Sequence, residues 1–386
     1  MKIIYFSQPF LTDCDFPLVR EMQNQGNDVY CYLCINRGLK AKSILEFDKP
    51  LSKFGFFKAS QMPEFAKYKD CIDLSRLFII GQYSTKWYFF PKYIVWLIAF
   101  IHMMLQRADI LQIDWQLFDA ERIIKYLPGI KKRVMTVHDP FQHEPGKERE
   151  RKFEKARLAC FKWADEFILL NKNQINDFSK HYGIPLSKIS VSSLGAYDCV
   201  SRIPIENASP DSPYILFSGQ LAPYKGLEHL LAAMPKVHEA RPDLKLIIAS
   251  SGKIYFDDTE YRKLDYIEWR NRYIGISELA GLIKGAQFSV CPYVSTTQSG
   301  VIQTLYILNC PVIATNVGSL PSVVLDDETG MLVPPEDSDA LAEAIIKLAN
   351  NPDKIELYKR NIVEKWLPTM SWEPIVKDYI NVYNKQ

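Results

Sequence analysis

The sequence has almost no net charge and no hydrophobic run long enough to cross a membrane. Its 47 basic and 45 acidic side chains leave a net charge of +2 over 386 residues, which excludes the strong positive field of a general nucleic-acid binder. The most apolar segment, residues 93–104, falls well short of the roughly 20 residues that span a bilayer. We expect a core helix there, or a helix on a membrane surface. The second option would use a set of interfacial aromatic residues: Trp87, Tyr88, Phe89, Phe90 and Trp96.

Cysteines are also few, since 8 in a chain of this length do not make a disulfide framework. Cys31 and Cys34 have CxxC spacing but lie in a strand-like segment, residues 29–35, whose alternation points them to opposite faces. No later Cys or His pair in the sequence completes a zinc site. We therefore expect structural thiols, no bound metal and the reducing cytosol. The first residues read as a core strand and not as a secretion signal, which also predicts a cytoplasmic protein.

What the sequence does have is a regular alternation of short apolar runs and helical patterns. This alternation is typical of βαβ units and parallel sheets. Strands are predicted at residues 2–6, 29–35, 110–113, 133–137, 167–170, 189–192, 214–218, 244–249, 288–291, 311–314 and 330–333. Helices are predicted at residues 16–25, 227–240, 278–284, 301–308, 340–350 and, at the tail, 372–383.

A polar, proline-rich segment at residues 201–213 separates the two halves and reads as a linker. The predicted fold class is therefore α/β, with two Rossmann-like doubly wound domains, residues 1–200 and 201–369. Open parallel sheets bind ligands outside the carboxyl ends of their strands. Both domains are thus expected to direct those ends toward an interdomain cleft.

The strongest chemical signal is a strand that ends at Gly219 and leads through a short loop to Lys225 and Gly226, just before a helix. Glycines let a backbone approach a ligand, a helix start offers free N–H groups, and a lysine adds a charge for phosphate. The alternative is an ordinary turn with a solvated lysine.

A second loop of this kind covers residues 291–301 and precedes another apolar helix. Thr297 or Ser299 could cap that helix, which makes its start either an anion site or plain capping chemistry. Two such helix starts in one domain suit a diphosphate better than a monophosphate.

These segments resemble the family-4 glycosyltransferases of the GT-B architecture, of the group 1 type. The resemblance rests on residues 219–226, 276–283, 311–318 and 329–335. In the first half, His138 and Asp139 resemble the family's cleft histidine segment, and Gly195 matches the glycine before its linker.

The resemblance implies a hexosyltransferase-type enzyme that moves a sugar from a nucleotide diphospho-sugar to an acceptor hydroxyl, with retention and without a metal. It implies that residues 201–369 bind the donor and residues 1–200 the acceptor, with a C-terminal helix, residues 370–386, packed back on the first domain. No cofactor is expected, because the UDP- or GDP-linked donor is a substrate. The expected acceptor is a polysaccharide or lipid-linked glycan, the latter at the inner face of the membrane, and no nucleic acid is expected.

Three departures from the family set this chain apart. Thr296 and Thr304 stand where the family has its pair of glutamates, and Gln220 replaces its phosphate-binding arginine. The glycine pair after the first strand is missing too. A threonine can still accept a ribose hydrogen bond, but it cannot stabilise a cationic transition state. Lys225 then becomes the main fixed cation for the diphosphate.

The expected site residues follow from these arguments. The catalytic set is His138, Lys225 and Gln298. The donor-binding set is Gly219, Gln220, Gly226, Gly252, Tyr273, Ile274, Thr296, Ser299, Gly300 and Thr304. The acceptor-side set is Asp13, Asp15 and Asp139.

Several residues have a second interpretation. Asp13 and Asp15 form a DxD, in which Asp15 reads as the N-cap of the first helix. His143 or Asp139 would be the base of an inverting enzyme. Residues 147–157 read as a solvated helix face that, with the basic residues 131–133, would favour an anionic membrane. For the whole chain, the alternatives are a catalytically silent nucleotide-sugar-binding scaffold and a sugar-nucleotide epimerase of the same architecture.

Overall fold

The computed structural model describes residues 1–82, 90–114, 116–138, 140–141, 148–296 and 300–385, with the backbone alone for 148–152. Contacts divide the chain into two units, one of Met1–Gly195 with Trp372–Gln386 and one of Ala196–Ser371. Each unit is an α/β structure around a mainly parallel sheet, so the predicted fold class is confirmed.

The first unit has an eight-stranded sheet with the order β10-β9-β8-β7-β1-β2-β6-β5, and a separate pair, β3-β4. Its strands are β1 Lys2–Ser7, β2 Asp28–Asn36, β3 Ala41–Lys42, β4 Leu45–Glu46, β5 Gly55–Lys58, β6 Leu77–Gln82, β7 Ile110–Ile113, β8 Lys132–Val137, β9 Glu166–Leu169 and β10 Ile189–Val191. Its helices are α1 Thr12–Asn24, α2 Pro91–Leu105, α3 Glu148–Phe161 and α4 Ile175–Tyr182, with 3-10 turns at Ala59–Gln61, Pro63–Tyr68, Asp119–Tyr126, Lys172–Gln174 and Leu186–Lys188.

The register of this sheet brings chemically active positions to one edge. Phe6 pairs with Ile113, and Ile113 pairs with Met135 in the next strand. The residues that follow, Ser7 and Asp114, therefore lie side by side where the parallel strands end. His138 follows the end of β8 and belongs to the same edge.

The sequence prediction omits β5 and β6 and places the start of α1 wrongly. The run of β6 is short and apolar, a pattern that a strand and a buried helix share, and β5 pairs antiparallel with it at the sheet edge. Helix α1 begins at Thr12 and not at residue 16. Asp15 is therefore not an N-cap, because it lies inside the helix with its carboxylate turned to buried partners in β1.

Helix α2 was expected in the core, but only one of its faces is buried. Val95, Trp96, Ala99 and Met103 pack into the first unit, while several of its large apolar side chains are exposed. The aromatic residues Trp87, Tyr88 and Phe89 lie outside the described residues. No helix in the described part of the chain has the length and hydropathy that crossing a bilayer requires.

The basic residues 131–133 form ion pairs and hydrogen bonds within the first unit. Lys131 pairs with Asp109 at 2.8 Å, and Lys132 donates to the Val382 carbonyl at 3.0 Å. Within the helix face that was expected to be solvated, Arg157 is buried and donates to a backbone carbonyl. All eight cysteines are buried free thiols.

The second unit has a six-stranded parallel sheet with the order β13-β12-β11-β14-β15-β16. Its strands are β11 Tyr214–Gln220, β12 Lys245–Ser251, β13 Ile267–Asn271, β14 Ser289–Cys291, β15 Val312–Thr315 and β16 Gly330–Val333. Its helices are α5 Leu227–Ala240, α6 Ile276–Gly285, α7 Gly300–Ile307, α8 Leu320–Val323, α9 Ser338–Ala349, α10 Pro352–Asn361 and α11 Leu367–Thr369, with a π turn at Ile362–Trp366 and 3-10 turns at Asp198–Arg202, Pro223–Lys225 and Tyr261–Lys263.

Most of this unit follows the apolar pattern of the sequence. Among its strands the exception is β13, whose polar residues give no clear alternation and which the sequence does not predict. The polar segment read as a linker is also held in place, because the Glu206 amide donates to the Ser277 carbonyl and the Ser209 hydroxyl to the Gly281 carbonyl.

The last helix, α12 Trp372–Asn384, belongs to the first unit. Its Trp372 ring lies so close to Gly195 that a Cβ on that residue would be 2.5 Å from the ring. Tyr379 and Tyr383 of α12 form hydrogen bonds with Thr136 and Gln112 of the sheet. A helix that follows the second unit in sequence is thus part of the first unit's polar interior.

Candidate functional site

In the second unit, the expected donor residues follow the carboxyl ends of neighbouring strands. Gly219 pairs with Ser250, and Ser250 with Asn271, so β11, β12 and β13 end together. Gln220, the last residue of β11, and Gly252, the first residue after β12, are exposed. Tyr273, which is 49% exposed, and the half-buried Ile274 follow β13.

Gly226 joins the two loops that the sequence singles out. Its φ of +62° favours glycine, and a Cβ there would lie 2.0 Å from the carbonyl oxygen of Pro292. Next to it, the amide of Val294 donates to the carbonyl of Tyr224 at 2.9 Å. The loop after β11 and the loop after β14 are therefore held in direct contact.

Lys225 is a buried cation at this junction. Only 8% of its surface is exposed, and its Nζ lies 3.8 Å from the ring centroid of Tyr293 and 5.2 Å from that of Tyr224. Among the described residues, no carboxylate forms an ion pair with it. Burial lowers the pKa of Lys225 to about 8, against a weaker effect of Cys291 in the other direction.

This environment favours an anionic ligand over an empty site. Aromatic faces stabilise an ammonium group in part, but a buried charge is costly unless an anion or hydrogen-bond acceptors meet it. An incoming phosphate would supply that counter-charge. The solvated lysine that the sequence left open as an alternative is therefore excluded.

The start of α7 is the second expected anion site. Gly300 is its first residue, and Thr304 donates from Oγ1 to the Gly300 carbonyl at 3.1 Å. The Thr304 oxygen keeps its lone pairs to accept a bond from a ligand. Thr296 is half-buried in the preceding loop. Thr297, Gln298 and Ser299 lie outside the described residues.

In the first unit, two buried carboxylates share the hydroxyl group of Tyr5. This hydroxyl lies 2.6 Å from Asp114 Oδ2 and 3.2 Å from Asp15 Oδ1. Ser7 donates to the second oxygen of Asp15 at 2.5 Å, and Gln112 Nε2 donates to Asp114 at 2.6 Å. Asp15 and Asp114 are 0% and 2% exposed, so they cannot both be charged cheaply.

The environments of the two carboxyl groups separate their pKa values. Burial raises the pKa of Asp15 well above its usual range, and the charge of Asp114 adds to the effect. Burial also acts on Asp114, but His138, Tyr5 and Gln112 together outweigh it and lower the pKa of that carboxyl. Asp114 is therefore the ionised member of the pair and Asp15 the protonated one.

His138 lies next to the ionised carboxylate, with its Nε2 at 3.8 Å from Asp114 Oδ2. Asp13 is half-buried at the start of α1, where burial raises its pKa to about 6 against a hydrogen bond from Ser43 and the charge of His138. His138 and Asp13, two of the expected site residues, therefore lie near each other at the carboxyl edge of the first sheet. Asp139 and His143 lie outside the described residues.

Sequence reasoning missed Asp114. The signal was available, because Asp114 directly follows a buried strand, as His138 does. A second carboxyl group of this edge, Glu121, also escaped notice. It is buried, accepts from Gln8 and the Phe118 amide, and has a pKa that burial raises to about 7.

One group of side chains has the spacing of a metal site, since ligand atoms of Cys14, Asp15 and His138 lie within 4.8 Å of one another. Metal ligands must be deprotonated. Burial raises the pKa of both Cys14 and Asp15, and the Cys14 thiol donates to the Leu11 carbonyl. These residues do not fit a metal ion.

Parts of the sequence have known relatives. Residues 212–351 match a family model described as glycosyl transferases group 1. An uncharacterized glycosyltransferase of Methanocaldococcus jannaschii is 30% identical over 180 residues, which cover 45% of this chain and 45% of the relative. The alpha-maltose-1-phosphate synthase of Mycobacterium tuberculosis is 27% identical over 193 residues, or 46% and 49% of the two chains. The chain thus spans about half the length of the curated relatives it matches.

Solved structures match over the whole chain. Sucrose-phosphate synthase from Thermosynechococcus elongatus has a TM-score of 0.65 at 17% identity, covering 100% of this chain and 98% of the other. Anabaena HepE in complex with UDP has a TM-score of 0.61 at 13% identity, covering 100% of both. At these identities the likeness is one of fold. Residues 212–351 are thus similar to the group 1 glycosyltransferase family, and the chain has the fold of the GT-B glycosyltransferases, with two Rossmann-like domains.

Proposed function

We propose that this protein is a glycosyltransferase that moves a sugar from a nucleotide diphospho-sugar to a hydroxyl acceptor. The observation that supports this function best is Lys225, a buried ammonium group without a carboxylate partner among the described residues, at the carboxyl edge of a group 1 sheet. The donor's diphosphate is the counter-charge that this site lacks.

In this proposal the second unit binds the donor. Lys225 and the start of α7 at Gly300 neutralise the diphosphate, and Gln298 and Ser299, which precede Gly300 in the sequence, also contact the donor. Tyr273 and Ile274 contact the nucleobase, and Thr304 accepts a hydrogen bond from the ribose. The remaining donor contacts are made by Gly219, Gln220, Gly226, Gly252 and Thr296.

The proposed chemistry is substitution with retention. The bond between the anomeric carbon and the diphosphate breaks, and the acceptor oxygen bonds to the same face of the sugar. The departing phosphate oxygen takes the proton of the acceptor hydroxyl, so no separate base, metal or cofactor is required. Lys225 stabilises the negative charge that develops on the leaving group.

The first unit supplies the acceptor side, with His138, Asp13 and Asp139 as hydrogen-bonding residues. Asp15 is removed from this set, because its carboxyl group is fully buried and engaged by Ser7 and Tyr5. The proposed acceptor is a polysaccharide or a lipid-linked glycan, in the cytoplasm or at the inner face of the membrane. The UDP found with HepE makes UDP-linked sugars the first donors to test.

A thermal-shift panel of UDP-, GDP- and ADP-sugars tests donor binding, because a ligand of the native state raises the apparent melting temperature. We expect one nucleotide class to raise it, and Lys225→Met to remove the shift. Lys236→Met is the matched control, since Lys236 is an exposed lysine that pairs with Asp339 and Glu343. An unchanged shift in Lys225→Met would rule out the proposed role of the lysine.

Turnover separates this function from its alternatives. Release of nucleoside diphosphate only in the presence of an acceptor supports transfer. The second candidate is a silent nucleotide-sugar-binding protein, which the neutral Thr296 and Thr304 favour, and it predicts binding without release. An isomerised sugar would instead indicate an epimerase of the same fold.

A further inference from the structure

Helix α2 is apolar on all sides, and one of its two faces is left in solvent. Its inner face packs into the first unit, as described above. Its outer face, which we call the α2 outer face, consists of Tyr93, Ile94, Leu97, Ile98, Ile101, Met104 and Leu105. These side chains are 38–68% exposed and recur at helical spacing. Soluble helices normally place charged residues on such a face.

The orientation of α2 is fixed by specific contacts. Trp96 Nε1 donates to Gln82 Oε1 at 3.3 Å, and the Tyr32 hydroxyl lies 2.8 Å from His102 Nδ1. The buried ammonium group of Lys92 forms an ion pair with the exposed carboxylate of Asp119. Rotation of the helix would break all of these contacts. The α2 outer face is therefore a stable feature of the folded unit.

The size and shape of the surface argue against a second protein copy. At about 200 Å² for a fully exposed side chain of this size, the seven exposed fractions amount to roughly 650 Å² of mainly apolar area, more than the largest patch of a typical monomeric protein. A standard protein interface needs about 800 Å² on each partner. A single convex helix also offers no groove for a partner segment. A lipid bilayer needs neither a groove nor a matching shape.

The charges around α2 have the sign that suits an anionic membrane. No acidic residue occurs in Pro91–Leu105. Arg107 is exposed just after the helix, and Lys58 lies close enough to lower the pKa of His102 together with burial. The nearby carboxylate of Asp119 is neutralised by Lys92. Cations beside an apolar face attract anionic lipid headgroups.

The sequence before the helix adds interfacial side chains. Phe90, which is 69% exposed, directly precedes α2. Trp87, Tyr88 and Phe89 come before it in the sequence. Aromatic residues favour the headgroup level of a bilayer. Phe90 directly precedes the helix and Arg107 follows it, so both ends carry a residue typical of a membrane interface.

We propose that the α2 outer face docks on an anionic lipid bilayer, with the helix lying in the plane of the interface. The helix has 15 residues and is about 22 Å long, too short to cross a core of roughly 30 Å. This inference deepens the proposed function. The purpose of docking rests on that function, because docking would hold a transferase next to a lipid-linked acceptor.

Vesicle sedimentation tests the docking without donor or acceptor. The wild type is compared with the double variant Leu97→Glu/Ile101→Glu. The vesicles are of phosphatidylcholine with about 30% of the anionic lipid phosphatidylglycerol. The matched control is Leu357→Glu, at a 42% exposed leucine of the second unit. We expect the wild type and the control to bind, and the double variant to bind at least tenfold more weakly. Binding should fall on pure phosphatidylcholine.

Two measurements keep the outcomes separate. Thermal unfolding shows whether the double variant is folded, and its UDP-sugar thermal shift shows whether donor binding survives. Failure of the wild type to bind vesicles, or equal binding by the folded double variant, would overturn the docking and leave the proposed function intact. A dimer in light scattering that the double variant dissociates would also overturn it, in favour of a second copy.

Discussion

The buried position of Lys225 predicts that donor affinity depends on pH in the alkaline range. Burial lowers the pKa of this lysine to about 8 in the free protein. About nine-tenths of the molecules then carry the charge at pH 7 and about one-tenth at pH 9. A bound diphosphate stabilises the charged form. Binding must therefore take up a proton wherever the free lysine is neutral.

The expected magnitude follows from this fraction. Affinity for UDP-glucose, if this is the donor class, should fall about tenfold between pH 7 and pH 9, or about 1.4 kcal/mol. At pH 8, about half a proton should be taken up for each donor bound. Titration calorimetry in buffers of different ionisation enthalpy measures both quantities.

Two variants of Lys225 provide the controls. Lys225→Met removes the titrating group. Its affinity for the donor should be lower and should no longer depend on pH, except for any ionisation of the nucleobase, which affects the wild type equally. Lys225→Arg keeps a charge at all these pH values and should also give a flat profile. Equal wild-type affinity at pH 7 and pH 9, or the same fall in Lys225→Met, would refute the reasoning.

Three further predictions concern the fold and the first unit. Gly226→Ala should lower the free energy of unfolding by more than about 1 kcal/mol and weaken donor binding, because its Cβ would meet the Pro292 carbonyl at a positive φ. Denaturant titration measures the free energy of unfolding, and a wild-type value would contradict the prediction. Because Asp15 is already protonated, Asp15→Asn should cost less stability at pH 7 than Asp114→Asn, which leaves His138 without its carboxylate; the reverse order would show that the protons are assigned wrongly. The raised pKa of Asp13, about 6, means that the folded state binds more protons than the unfolded state between pH 4 and pH 6. Its contribution to stability is therefore lost as pH rises through this window, by up to about 3 kcal/mol, and Asp13→Asn should show a correspondingly smaller decline; identical pH profiles for the two proteins would exclude a raised pKa.

Local sequence was sufficient to predict a site residue when its place depends only on the strand that it follows. The apolar runs predicted most strands of both units, because a strand buried on both faces leaves a short continuous apolar run. The same reasoning led from the end of β11 to Lys225. It failed for β6 and β13, whose patterns do not separate a strand from other structures.

Reasoning on local pattern also failed for Asp15. Before Phe16 and Pro17 it looks like a helix cap, yet its carboxyl group is held by Ser7 and Tyr5 inside the unit. These distant partners and the complete burial of Asp15 speak against both interpretations that the sequence offered, a helix cap and an acceptor contact.

The sequence by itself determined the α/β class, the course of most strands and the lysine at a strand end, since these depend on residues within about ten positions of one another. Only the tertiary structure shows that Tyr5 forms a hydrogen bond with Asp114, which lies 109 positions away in the sequence. Only the tertiary structure shows that α2 leaves an apolar face in solvent. Protonation and exposure are set by whatever packs against a side chain, and those neighbours come from distant parts of the chain.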